Sequence, residues 1–472
     1  MSIRSLGKQS LIYGVGHMLA RIVTFLLLPL YTHSFSQEEY GAVSLAYAFM
    51  GFALILYRYG MDTALMKFSV QTEGKDRTSY ITVILIAQCV TSVFFSGILY
   101  LFREPLAPIV LGTPQPTWMT YLAIILFLDA MWNLPQLLLR AEEKPLPFIG
   151  LSLLNVLSTM GLNILFVLNW GYGIEGVFMA NIIASGLVFV LTLPIVVSRI
   201  SLNSLAMPVF KNILRFALPF LPAGIFTMVM ELSDRYLVEW FLGTADVGLY
   251  SAGKKLGMLA LTVIMGFNMG WTPYFLKRGQ EADAKKDFAQ VATLFLGVMG
   301  YACFLVSIWI QEIMQFSIGG KTVIGPEFWG CEPIVGSILL GYFFFGVYVI
   351  QLPGVYMKNM THWVPVFRII GATTLVFVGI LLIPKIGIMG AAYAVVMAFI
   401  AMSLTIFSKI YPHYKVLYNW VGILFPIVCL GALQFGIQDL ISPWTLTLSY
   451  PLLWFSFAIT KEERTTLREL LP

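Results

Sequence analysis

The sequence predicts an all-α integral membrane protein with fourteen transmembrane helices, and three observations carry that prediction. Of the 472 residues, 58% are hydrophobic and 11% charged, with mean hydropathy +0.83. A soluble chain of this size carries roughly twice that charged fraction. Apolar runs of about 20 residues recur along the chain, each long enough to cross a hydrocarbon core of about 30 Å. The basic residues are also distributed with a strong sidedness, developed below.

Turn and charge signals divide the apolar runs in order. The first, 10–33, follows Arg4 and Lys8 with no small-residue cleavage site, so it reads as an uncleaved helix. The acidic turn Gln37-Glu38-Glu39 separates it from 41–67, and Lys75 and Arg77 precede 79–102. Spans follow at 117–139, closed by Arg140, at 147–169 and at 175–198, closed by Arg199. The second half runs 213–242, 247–275, 287–311, 333–357, 364–384 and 388–409, and two more spans lie at 419–437 and 443–460. Strands are not expected, because the runs exceed strand length and an open sheet in lipid leaves backbone groups unpaired.

With the N-terminus inside, 21 of the 29 Lys and Arg fall in inside segments. Only Arg103, Lys321 and Lys385 fall outside, and the remaining five lie within spans. The positive-inside rule predicts such a bias, and a missed helix would scramble it. The predicted topology places both termini in the cytoplasm and the chain in the cytoplasmic membrane. No connector is long enough for a soluble domain of about 50 residues. Gly319-Gly320-Lys321-Thr322 echoes the end of a phosphate-binding loop, but the glycine required first is Gln315.

The halves repeat at an offset near 207–218. Tyr40-Gly41 matches Val247-Gly248, Leu134-Pro135 matches Leu352-Pro353, and Gly173-Ile174-Glu175-Gly176 matches Gly387-Ile388-Met389-Gly390. Six spans separate the copies, so both insert in one orientation as parallel repeats. The expected organisation is a lobe at 1–199, a second at 200–410, and spans thirteen and fourteen with a cytoplasmic tail at 411–472. Pro219, Pro222, Pro273 and Pro353 lie inside spans and are candidate bends.

Ionisable residues deep in a span cost about 2.5–3.5 kcal/mol or more each, so they face protein or water. Here they concentrate in spans one, two, seven and eight. Arg21 lies about 16 Å from the inside end of span one, and Arg58 about 25 Å below the outside end of span two. Lys254 and Lys255 lie about 11–13 Å into span eight from outside, with Arg235 at a similar level. Asp62 stands four residues from Arg58, and Glu231 and Glu239 stand four either side of Arg235, so mutual neutralisation is the competing structural explanation. Asp129 and Asn133 read as a local polar contact. A basic, wetted cavity suits an anion, and Arg suits phosphate oxygens. Net charge is +5, too slight for a nucleic-acid partner. The four Cys and four His are scattered, which gives no metal-ligand or disulfide spacing and no cofactor.

Phe25-Leu26-Leu27-Leu28-Pro29-Leu30-Tyr31-Thr32, Glu39-Tyr40-Gly41, Tyr59-Gly60-Met61-Asp62 and Val247-Gly248-Leu249-Tyr250-Ser251-Ala252 together give the chain a further identity. It resembles the polysaccharide transporter family of the multidrug/oligosaccharidyl-lipid/polysaccharide (MOP) exporter superfamily. The resemblance implies a V-shaped two-lobed fold and an undecaprenyl-pyrophosphate-linked oligosaccharide as substrate. It implies that Arg21, Arg58 and Lys254 or Lys255 stand on helices comparable to those that carry basic residues in lipid II flippases. On this reading those cations, with Arg235, hold the pyrophosphate. Energy comes from a proton or sodium gradient or the membrane potential, with Asp62, Glu231 or Asp234 as candidate coupling carboxylates, and a polymerase and glycosyltransferases are partners. Two other readings stay open: a cation-coupled multidrug antiporter, which would need an acidic cavity, and a membrane polymerase or ligase, which generally needs a larger outside loop.

Overall fold

The computed structural model describes residues 25–470, so Arg21 and the start of the first expected span lie outside the described residues. Helix α1 covers 25–34. It is followed by α2 (Gln37–Arg58), α3 (Met61–Gln71), α4 (Gly74–Leu101), α5 (Arg103–Leu111), α6 (Pro116–Ala141), α7 (Pro145–Asn163) and α8 (Gly173–Val197). The chain continues with α9 (Met207–Ala217), α10 (Phe220–Leu242), α11 (Thr244–Gly257), α12 (Leu259–Arg278), α13 (Ala284–Ile308) and α14 (Ile310–Gln315). The remaining helices are α15 (Glu332–Ile350), α16 (Leu352–Met357), α17 (Trp363–Ile386), α18 (Ile388–Ile410), α19 (Trp420–Gln434), α20 (Pro443–Leu453) and α21 (Lys461–Leu470).

Among the described residues, ten helical segments are long and apolar enough to cross a membrane, or eleven when the bent pair α9–α10 is one span. The chain is a multi-pass membrane protein. The other three expected spans are α1, α19, which runs to 15 residues, and α20, which runs to 11 before a π turn at Trp454–Ala458. Several spans expected to be continuous are broken: α2 from α3, α11 from α12, and α15 from α16. Of the candidate proline bends, Pro219 marks the 40° bend between α9 and α10, and Pro353 lies in the first turn of α16, just after the break from α15.

Capping explains the entry to α2. The Ser36 hydroxyl accepts from the Glu39 N–H at 3.2 Å, and the Glu39 carboxylate accepts from the Ser36 N–H at 2.9 Å. This reciprocal box satisfies donors that a helix start otherwise leaves orphaned, so α2 begins in the acidic turn rather than after it. The one two-stranded pairing among the described residues, Ser317–Ile318 with Lys321–Thr322, lies in the loop between α14 and α15. Its turn residues Gly319 and Gly320 both take positive φ, +62° and +84°. A tight hairpin needs that geometry, so the glycine pair serves a turn rather than a phosphate.

The chain divides into two compact units, the first running through Glu239 and including Gly243–Gly248, the second comprising Trp240–Leu242 and the chain from Leu249. This division falls about one span later than the 199/200 lobe boundary, because α10 packs with the first unit. In that unit α6 packs on α4 and α8, and α3, α4, α6 and α9 close a core of Met61, Leu65, Ile84, Leu138 and Ile213. In the second, α18 packs on α15 and α17, and α13 packs on α15 and α19.

Two contacts within the first unit bear on the repeat. A Cβ on Gly41 would lie 1.9 Å from the Thr244 carbonyl oxygen, and one on Gly248 would lie 1.9 Å from that of Gln37. Gln37 and Gly41 correspond to Thr244 and Gly248 at an offset of 207, so the contact is reciprocal. The matched glycines Gly173 and Gly387 also share a role: each takes positive φ, +58° and +63°, where a helix begins.

Candidate substrate-binding site

Arg58 is the last residue of α2, and the break after it decides its surroundings. Tyr59 (φ 32°) and Gly60 (φ 84°) are both left-handed. Only glycine fits at 60, because a Cβ there would lie 2.3 Å from the Ala217 carbonyl oxygen at the end of α9. The helix therefore stops with its guanidinium at a C-terminus, where the unpaired carbonyls favour a cation.

The break also corrects the expected pairing with Asp62. Four residues apart share a face only on a continuous helix, and here Asp62 opens a new one. Its carboxylate accepts from the Thr63 N–H at 2.8 Å and the Thr63 hydroxyl at 3.4 Å, at the positive end of α3. Arg58 forms no ion pair or hydrogen bond among the described residues, and its Nε is buried without a partner. It stays within electrostatic reach of Asp62 and Asp129.

Arg235 on α10 repeats that condition. The side chain is half-buried, its Nε and Nη1 are buried without partners, and it pairs with neither Glu231 nor Glu239. Glu239 instead accepts from the Thr244 hydroxyl at 3.0 Å, and Glu231 is exposed. Asp234 is 1% exposed and accepts from the Arg235 backbone N–H at 3.0 Å. Local neutralisation therefore explains neither arginine.

Lys254 and Lys255 occupy the last turn of α11, again at a helix end within a span. Gly253 and Gly257 let α11 approach α15 closely, since Cβ atoms there would lie 2.6 Å and 2.4 Å from Ile334 and Ile338. Lys254 is buried, with its ammonium 6.0 Å from the Tyr250 ring centre, and Lys255 is half-buried.

Within the first unit a polar network crosses five helices. Asp129 Oδ1 accepts from the Ser185 hydroxyl at 2.6 Å and the Trp132 indole at 3.0 Å. Asn155 reaches Ser185 at 3.5 Å, Asn181 donates to the Tyr47 hydroxyl at 3.0 Å, and Tyr31 donates to Asn163 at 3.0 Å. Asp129, read from the sequence as part of a local contact, thus joins α6 to α8 and faces the charge of Arg58. The missed signal was the set of Asn and Ser in spans five and six, which are weak singly and informative only together. Chemically, the unit offers two arginines able to accept an anion and one carboxylate with an oxygen left over.

Comparison with known proteins agrees with this architecture. The chain matches the polysaccharide biosynthesis protein family over residues 6–278. It is 21% identical over 330 residues to an uncharacterized membrane protein of Haemophilus influenzae, covering 69% of this chain and 78% of that one. The lipid II flippase MurJ, in an inward closed conformation, superposes with TM-score 0.73 at 13% identity, covering 98% and 100% of the two chains. An inward-facing multidrug resistance MATE transporter of the MOP superfamily superposes with TM-score 0.62 at 12% identity, covering 92% and 96%. The fold is therefore that of MurJ and the MATE transporters, and by its match across more than half its length the chain belongs to the polysaccharide biosynthesis protein family.

Proposed function

We propose that the protein is a flippase that moves undecaprenyl-pyrophosphate-linked oligosaccharide units across the cytoplasmic membrane by alternating access, for surface polysaccharide synthesis. The observation that carries the reading is a pair of span-borne arginines, Arg58 and Arg235, whose guanidinium groups form no ion pair or hydrogen bond among the described residues. A cation held in a span without a hydrogen-bonded anion is expensive, and a diphosphate supplies that acceptor. Arg21, Lys254 and Lys255 extend the cationic set. The fourteen-span count, cytoplasmic termini and lobes at 1–199 and 200–410, followed by 411–472, complete the proposal.

Transport draws on a proton or sodium gradient or on the membrane potential, with Asp62, Glu231 or Asp234 as the candidate coupling carboxylates, to which Asp129 is added for the oxygen that takes no hydrogen bond among the described residues. The polymerase and glycosyltransferases that make and consume the glycan are the expected partners. Complementation of a deletion strain tests the reading. Arg58→Ala and Arg235→Ala should abolish surface glycan with protein level unchanged, and Arg58→Lys should retain part of it. Normal glycan with lost drug tolerance in the deletion strain would favour the antiporter instead.

A further inference from the structure

We propose that the second unit carries a separate site for the phosphate of an anionic lipid headgroup, in the cavity where α13, α19 and α21 begin. The cavity has a volume of about 810 Å³, and Lys285, Lys286 and Lys415 are on its wall. Glu462 neutralises Lys286 at 2.8 Å. Lys285 and Lys415 have no carboxylate within ion-pair distance among the described residues. They lie instead against tyrosine rings, 4.9 Å from the centre of Tyr414 and 6.0 Å from that of Tyr411. A ring face holds an ammonium in place and leaves its donors available.

The acid deepest in the wall is already committed. Glu463 is 3% exposed and accepts from the Thr460 N–H at 2.7 Å and the Asn419 amide at 2.9 Å. Asn419 also donates to the Ala458 carbonyl at 2.8 Å and caps α19 through the Gly422 N–H at 3.1 Å, so the wall is a built structure. Asp283, at the start of α13, is the remaining carboxylate of the lining.

The position of the cavity points to a lipid as the source of the phosphate: it lies where the membrane-spanning helix α13 begins. Under the proposed topology this face meets the cytoplasmic leaflet, where each lysine near anionic lipid contributes about 1 kcal/mol. The inference does not depend on transport.

The test is thermal unfolding of the full chain in neutral detergent, titrated with dioctanoyl phosphatidylglycerol, dioctanoyl phosphatidylcholine or inorganic phosphate. Phosphatidylglycerol should stabilise the protein, and the other two should not at equal concentration. Lys285→Gln with Lys415→Gln should raise the half-saturating phosphatidylglycerol concentration by about tenfold or more. Asp283→Asn, which keeps both lysines and removes the opposing charge, should lower it. Equal effects of the two lipids, phosphate acting as well as phosphatidylglycerol, or unchanged titrations in both variants would overturn the proposal.

Discussion

Glu142, between α6 and α7, gathers three cations on one carboxylate, and replacing it with Gln makes a sharp test of how the first unit is held. Arg199 forks onto it at 2.8 Å and 2.6 Å, Lys144 lies at 2.9 Å and Arg77 at 3.4 Å. These residues come from the start of α4, the end of α6 and the segment after α8, which the basic-residue pattern places on one side. The Glu142 and Arg199 side chains are 13% and 21% exposed, so their fork is partly shielded and falls in the range of about 1.5–3 kcal/mol for a charged hydrogen bond. Lys144 is 51% exposed and adds at most a few tenths of a kcal/mol.

Glu142→Gln should therefore destabilise the unit by about 2–3 kcal/mol, a fall in Tm of about 5 °C or more in detergent. Acid provides the second arm. The hydrogen bond from Arg199, against a smaller opposing effect of burial, holds the Glu142 carboxyl at about 2 rather than in its ordinary range. A depressed carboxyl stabilises the fold above its unfolded pKa of about 4.3 and loses that contribution as pH falls toward 2. Wild-type Tm should fall through that window, and the variant's should fall less. An unchanged Tm together with the wild-type acid profile would refute the reasoning.

Other sites give equally direct expectations. Gly60→Ala places a Cβ 2.3 Å from a carbonyl oxygen at φ 84°, so membrane yield or Tm should drop, with about 1–2 kcal/mol from the left-handed backbone alone. Gly41→Ala and Gly248→Ala each meet backbone at 1.9 Å, so both should weaken the protein, and similarly, because their contacts are reciprocal. Asp129→Asn keeps an acceptor for Ser185 but removes the charge facing Arg58. It should leave protein level intact and change the pH dependence of glycan export, whereas an unchanged profile would remove Asp129 from the coupling candidates.

The membrane class and the order of the spans were legible because burial in lipid writes itself into long apolar runs and sided charge. The breaks were not. Nothing in the composition of Tyr59-Gly60 says whether a glycine merely packs a helix or ends it, and the contact that decides is Ala217, over 150 residues away. That one break makes Arg58 and Asp62 separate helix ends rather than the pair their spacing allows. For Arg235 the spacing to Glu231 and Glu239 left neutralisation open, but Thr244 takes one carboxylate and the other is exposed. Asp129 stood in the sequence as a local contact because its partner, Ser185, lies on another helix.

The most direct measurement of the account is binding of undecaprenyl pyrophosphate to the purified protein, wild type against Arg58→Ala/Arg235→Ala. Loss of two charge-assisted contacts at about 1.5–3 kcal/mol each predicts a fall in affinity of at least a hundredfold. Equal affinity in the two proteins, both folded, would contradict it.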